Sequence, residues 1–226
     1  MLDMSRKCVP YTPVTAPLQD MRIALVSATG VYHADQPPFA DHNDATYRVL
    51  PADVDSSQLR IRHGHYDSSE AERDINCVFP IDRLRELAAE GLIRGVSNKH
   101  IGFKGASTDL KRQYEELAPA IATEIERSQA DAAVLTGGCP LCHRVVAVVQ
   151  REIEAKGIPT VLITVQPNES KSMRPPRALH PVTNTMGRVL GCAGQVEKQR
   201  RVLAAALSQL EVLVMPGTIV DWETQE

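Results

Sequence analysis

Three short aliphatic runs constrain the fold of this chain more than any other feature. They are RIALVS (22–27), DAAVLTGG (131–138) and IPTVLITV (158–165). Each is too short for a core helix and too continuously apolar for a strand with one wet face. Each therefore reads as a strand of a parallel sheet, buried on both sides. Helical periods lie between them. In residues 80–91, Pro80 suits the first turn, Ile81, Leu84, Leu87 and Ala88 share a face, and Gly91 suits the stop. In 108–128, Leu110, Tyr114, Leu117, Ala118, Ile121 and Ile125 form one stripe, with a kink expected at Pro119. Residues 140–155 place Leu141, Val145, Val148, Val149 and Ile153 on one side.

The remaining segments are assigned on the same grounds. LRIRHGHY (59–66) alternates and reads as a second strand, and GVSNKHIGF (95–103) as a third. A last helix is expected over 195–210, with EVLVMPG (211–217) as a closing strand. Residues 1–20 hold three prolines and read as an arm, and 166–193 read as a long loop without an element. Strands alternating with helices predict a single α/β domain over 21–226. Its mainly parallel sheet carries helices on both faces, a Rossmann-like three-layer sandwich.

Composition narrows the functional classes. Hydrophobic residues make up 43% and charged residues 23%, with a formal net charge of -3 and no basic tract, which argues against nucleic acid. No run of about 18 apolar residues is present, so no membrane span is expected. The first residues lack the apolar stretch of a signal peptide. Five cysteines at irregular spacing fit a reducing compartment, and the expected location is cytoplasmic.

The chemistry concentrates in TGGCPLCHR (136–144). A strand end, a glycine turn and a proline predict that Cys139 caps a helix beginning at Pro140. First-turn amides and the helix dipole would then favour a Cys139 thiolate. Cys142, three residues on, is placed to close onto it as a resolving thiol. His143 offers a donor or proton carrier, and Gly137 and Gly138 would let a substrate approach the backbone. Ligands of open α/β sheets bind beyond the carboxyl ends of the strands, so His33, His63, His65 and Asp67 are expected near Cys139. Two buried thiols, or a zinc half-site completed in space by His63 and His65, are the other readings. No second Cys-x-x-Cys supports zinc, and no metal ligand set is assigned. Cys77 and Cys192 read as packing residues. Lys99, His100 and Lys104 read as solvated, and Arg174, Arg177, His180 and Arg188 as surface charge or a basic loop over the thiols.

Five strings carry a resemblance. VYHADQPPF, HGHYD, DINCVFPIDRLRELAAEGLI, HIGFKG and GGCPLCHRVVAVVQREIEAKGIPTV together resemble the selenoprotein B component of the glycine/sarcosine/betaine reductases and of D-proline reductase. The likeness runs from about residue 22 to the last helix. It implies a redox-active selenocysteine followed by cysteine, attacking the α-carbon of a substrate held as an imine on the pyruvoyl group of a partner subunit. The C–N bond breaks reductively and the second residue resolves the adduct. By that resemblance Cys139 takes the selenocysteine position and Cys142 resolves. Sulfur here replaces selenium, so a C–S bond or a disulfide is an alternative target for the same dithiol logic.

The resulting expectation is a dithiol-dependent reductase of a small amino-acid-like substrate. It has no bound cofactor, an external thiol or dithiol as reductant, a pyruvoyl-bearing partner subunit, and homo-oligomers as a further option. Two alternatives stand beside it. One is a racemase-like proton shuttle using two cysteines, suggested by PVTNTMG (181–187). The other is a metal-binding accessory subunit with a structural Cys-x-x-Cys.

Overall fold

A computed structural model describes residues 8–212 and 215–223. The strands are β1 (Arg22–Ala28), β2 (Val31–His33), β3 (Tyr47–Pro51), β4 (Leu59–Ile61), β5 (Gly95–Val96), β6 (Lys99–Phe103), β7 (Ala132–Gly137), β8 (Thr160–Ile163), β9 (Arg177–Pro181) and β10 (Thr218–Trp222). The helices are α1 (Ser69–Arg73), α2 (Ile81–Ala89), α3 (Leu110–Arg112), α4 (Ala118–Arg127), α5 (Pro140–Glu154), α6 (Pro167–Met173) and α7 (Val196–Glu211).

The three aliphatic runs become β1, β7 and β8, side by side and parallel in the middle of the main sheet. Its order is β10-β9-β8-β7-β1-β6-β3, with β5 also pairing β1. Only β3 runs antiparallel, against β6. Alternate residues of each central strand enter different cores, as burial on both faces requires. Ile23, Leu25 and Val134 join the core containing Leu84, Leu203 and Leu207 of α2 and α7. Ala24, Val26 and Leu135 join the core containing Ile121, Val145 and Val149 of α4 and α5. The architecture is the expected α/β sandwich around a mainly parallel sheet.

The kink expected at Pro119 takes the form of a π segment, Gln113–Leu117, between α3 and α4. Proline has no N–H for the carbonyl four residues back and its ring crowds that carbonyl. The wider turn lets the Ala118 N–H bond to the Gln113 carbonyl instead.

Several expectations are corrected. LRIRHGHY is a strand only over β4, which pairs antiparallel with β2 in a separate two-stranded sheet. The Arg62 N–H closes onto the Gly30 carbonyl, and the chain then leaves as a loop. The stretch 166–193 is not elementless: it contains α6 and β9, and β9 lies inside the main sheet. Its sequence, RALHP, begins with a charge and hides the strand. Arg177 is nevertheless buried, because its guanidinium meets Glu154 at 2.6 Å and stacks 3.9 Å from the Tyr11 ring centre. The closing strand is β10, not 211–217. Glu211 ends α7, and residues 213–214 of that expectation lie outside the described residues. Of the arm, residues 8–20 are described and are tied to the body. The Thr12 hydroxyl donates to the Glu154 carbonyl at 2.7 Å, and Arg151 donates to the Cys8 carbonyl at 2.8 Å.

Candidate active site

The site forms where β1, β6 and β7 end. After β7 the chain turns through Gly138, and Cys139 takes an extended conformation (φ -108°, ψ 174°) before Pro140 opens α5. Cys139 is therefore the N-cap. Its sulfur accepts the Cys142 backbone N–H at 3.3 Å, the bond that a capping side chain makes to the third helical residue. One helical turn brings the two sulfurs to 2.9 Å.

His63 enters from the loop after β4, with Nε2 3.1 Å from Cys142 Sγ. The Tyr66 ring packs 4.7 Å from the His63 ring, and its hydroxyl donates to the Thr29 carbonyl at 2.9 Å. His65 shares with Cys139 the wall of a pocket of about 510 Å³, whose other walls include Asp41, His42, Asn43 and Ser107. Cys139 is only 2% exposed, less open than its glycine turn implies, and Cys142 is fully buried. The pocket is thus the way to the thiols.

The two thiols titrate apart. The hydrogen bond with Cys142 lowers the Cys139 pKa most, and His63 and the Cys142 amide act in the same direction against the cost of burial. Burial raises Cys142 most, and its coupling to Cys139 raises it further. The two sulfurs, hydrogen-bonded at 2.9 Å, form a coupled pair with one thiol held down and the other pushed up.

His63, Cys139 and Cys142 have ligand atoms within 4.8 Å of one another, the group of metal-binding composition among the described residues. The ring orientation opposes a ligand role. His63 Nδ1 accepts the His65 N–H at 3.2 Å, so the ring hydrogen sits on Nε2 and faces sulfur. A metal needs a lone pair there.

Other expected residues stand elsewhere. His143 turns into the core: Nδ1 lies 3.1 Å from the Thr164 hydroxyl, and burial pushes its pKa down to about 3. Gly137 serves that ring and not a substrate, since a Cβ on it would lie 2.7 Å from His143 Nδ1. Gly138 likewise faces Tyr66, whose ring would be 2.5 Å from a Cβ. His33 closes its own turn, accepting the Asp35 N–H at 3.2 Å. Asp67 closes the turn ahead of α1 by accepting the Ser69 N–H at 3.0 Å. Of the expected basic segment, Arg177 is a core ion pair and His180 meets Asp221 at 2.8 Å.

Lys104 and His100 are buried, not solvated. Lys104 donates to the Ala40 and Asp41 carbonyls at 2.8 and 2.7 Å, which ties down the pocket wall at Asp41, His42 and Asn43. Lys99 meets the Glu124 carboxylate. Cys77 is fully buried, and burial pushes its thiol up to about 12. Cys192 is half-buried. Sequence reasoning overlooked Tyr66, Gly105 and the 41–43 wall. Lys104 and Gly105 directly follow β6, so the strand-end rule applied to HIGFKG would have found them.

Comparison with known proteins adds an independent line. The family described as glycine/sarcosine/betaine reductase selenoprotein B matches residues 2–138. The D-proline reductase subunit gamma of Acetoanaerobium sticklandii is 39% identical over 210 residues, 93% of this chain and 86% of that protein. The glycine reductase complex component B subunit gamma of Carboxydothermus hydrogenoformans is 29% identical over 225 residues, 94% of this chain and 51% of its own length. The sarcosine reductase complex component B subunit beta of Peptoclostridium acidaminophilum is 28% identical over 165 residues, 70% of this chain and 38% of its length. The chain therefore spans most of the first relative and about half or less of the other two. No solved structure matches it significantly. Among the described residues, no helix is long and apolar enough to cross a membrane.

Proposed function

The chain belongs to the glycine/sarcosine/betaine reductase selenoprotein B family, and from that premise we propose that it is a reductase-complex component whose own chemistry is a two-electron dithiol. Cys139 attacks and Cys142 resolves. The observation that carries this reading is the helix-capping Cys139 sulfur, 2.9 Å from the Cys142 sulfur and on the wall of an open pocket. The thiols are close enough to join with a small side-chain rotation, since a disulfide needs about 2.05 Å.

The substrate class is a small amino acid or its N-methyl derivative. D-Proline, glycine, sarcosine and betaine are the candidates named by the relatives. In this reading a partner subunit presents the substrate as an imine on its pyruvoyl group, and the pocket beside Cys139 receives it. The dithiol gives up two electrons and two protons, and an external thiol or dithiol restores it. A racemase reading fits less well. Proton exchange across a substrate needs thiols on opposite faces, whereas these lie in one helix turn.

The test uses the native complex, purified under reducing conditions and supplied with dithiothreitol. Reduction of one of the four substrates, with a Cys139–Cys142 disulfide trapped when reductant is withheld, is the expected result. Turnover that survives Cys139→Ser, or a disulfide that joins Cys77 or Cys192 instead, would overturn the proposal.

A further inference from the structure

The pocket beside Cys139 is unevenly furnished. Ala106, Pro140 and Leu141 give it an apolar floor next to the sulfur. Its rim is polar, and the acidic groups of that wall already have partners. The Asp41 carboxylate takes the Arg62 guanidinium as a fork, with Nε and Nη2 each at 3.0 Å. Asp44 accepts the Ala40 N–H at 2.7 Å and the Thr46 N–H at 2.9 Å. Asp109 caps α3 by accepting the Arg112 N–H at 3.0 Å.

The donors of the rim are left open. Asn43 holds a left-handed backbone (φ 50°), which asparagine tolerates better than most residues. Its Oδ1 accepts the Thr108 N–H at 3.1 Å and the Thr108 hydroxyl at 2.8 Å. A backbone N–H can only donate, so the oxygen is fixed on that side and the NH2 group turns away from it. His42 lies between two anchored residues, Asp41 and Asn43, and its ring has no hydrogen-bond partner among the described residues. The His65 ring stands edge-on to that of His63, with centres 5.5 Å apart. An imidazole offers an N–H in either neutral tautomer, and the amide offers two. Three side chains thus present donors to one rim, where the acidic side chain is already neutralised.

We infer that His42, Asn43 and His65 form a carboxylate-binding rim, which holds the carboxylate of the substrate outward and leaves its α-carbon over the apolar floor, facing Cys139. The inference rests on the dithiol reading above and names the specificity-determining residues of its pocket. Carboxylate oxygens only accept, and hydrogen bonds to a charged acceptor are the strong ones. A ligand amine would find the acceptors of this wall taken, which fits an amine already committed to an imine on a partner.

Iodoacetate and iodoacetamide test this on the reduced full chain, without substrate or partner. They carry a carboxylate or a neutral amide beside the same reactive carbon. With either reagent the S–C bond forms, the C–I bond breaks and iodide leaves with the electron pair. Rates at Cys139 are read by peptide mass spectrometry, and the iodoacetate-to-iodoacetamide ratio cancels any change in the thiol itself. The reference is the same ratio for 2-mercaptoethanol. Wild type should exceed the reference by about tenfold, the effect of one charge-assisted hydrogen bond. His42→Leu and His65→Leu should each lower the ratio toward the reference. Asn43→Asp keeps an oxygen for Thr108 but replaces the NH2 group with an acceptor, and should bring the ratio to the reference or below. His42→Gln, which can still donate, should retain more of the ratio than His42→Leu. Acetate should slow iodoacetamide labelling of Cys139 where acetamide, or phosphate at equal ionic strength, does not. A wild-type ratio equal to the reference, a ratio unmoved by all three substitutions, or equal protection by phosphate, a mark of general anion attraction only, would each overturn the inference. So would the absence of Cys139 labelling by both reagents, since the pocket would then not lead to the sulfur. Failure of the dithiol reading looks different: oxidation would form no Cys139–Cys142 disulfide, whatever the ratio.

Discussion

Gly105 lies flat against Cys142: a Cβ on Gly105 would sit 2.8 Å from the Cys142 Cα and 3.4 Å from its sulfur. The backbone of α5 cannot yield as a flexible side chain would, so only glycine permits this approach. The contact sets the depth at which the resolving thiol is buried. Gly105→Ala should push the first turn of α5 away from β6 and lower stability by about 1–3 kcal/mol, the usual range for overpacking. Disulfide formation between Cys139 and Cys142 should slow in the same variant. Urea denaturation and thiol quantification read the two effects, and an unaltered rate would mean that this contact does not position the pair.

Cys139 and Cys142 should differ in reactivity by environment and not by residue type. The hydrogen bond with Cys142 lowers the Cys139 pKa most, His63 acts in the same direction, and the pocket gives reagents a route to it. Cys142 is fully buried, and burial raises its pKa. Attack requires thiolate, so labelling should go to Cys139 first. In Cys142→Ser, Cys139 keeps its capped position but exchanges a thiol neighbour for a hydroxyl, and should still label below neutral pH. Faster labelling of Cys142 in wild type would reverse the two roles.

Two buried histidines should make the fold acid-sensitive. Burial pushes His100 and His143 down to about 3. In the unfolded chain each titrates near about 6.5. Both folded values are depressed, so this contribution is complete above about pH 6.5 and is lost progressively toward pH 3. Between those limits the unfolded chain holds up to two more protons, a slope of about 2.7 kcal/mol per pH unit. Urea midpoints at about pH 7 and pH 5 should show a steep loss in wild type. His100→Gln and His143→Gln should each remove about half of the slope. Equal slopes in all three proteins would show that the histidines are not the acid-labile groups.

The Arg177–Glu154 pair should be more costly to break than to replace. Arg177 and Glu154 have side chains 1% and 0% exposed, and Glu154 also accepts the Thr160 amide and hydroxyl, both at 2.8 Å. Arg177→Met leaves a buried carboxylate without its cation, at a cost of about 3–5 kcal/mol. The double variant Arg177→Met, Glu154→Leu should recover a large part of that loss, measured by chemical denaturation. A double variant less stable than Arg177→Met alone would mean that replacing the pair costs more than breaking it.

What could be read along the chain was whatever depended on near neighbours. The buried character of β1, β7 and β8, the stripe on α5 and the capping of α5 by Cys139 ahead of Pro140 are local patterns. They predicted the layered sheet, and they placed the two thiols one turn apart at its carboxyl edge. Contacts between distant residues were decided only by folding. Arg177 could be buried in β9 only because Glu154, 23 positions earlier, supplies its charge partner. His63 reaches Cys142 across 79 positions, whereas His33, an equally plausible histidine in the sequence, closes its own turn. Lys104 could leave water only because two carbonyls of the 40–41 segment meet its ammonium. A polar group's place depends on partners that need not be near it in sequence, while an apolar residue needs only to be covered. The cores were therefore legible from local pattern, and the hydrogen bonds that orient the thiols were not.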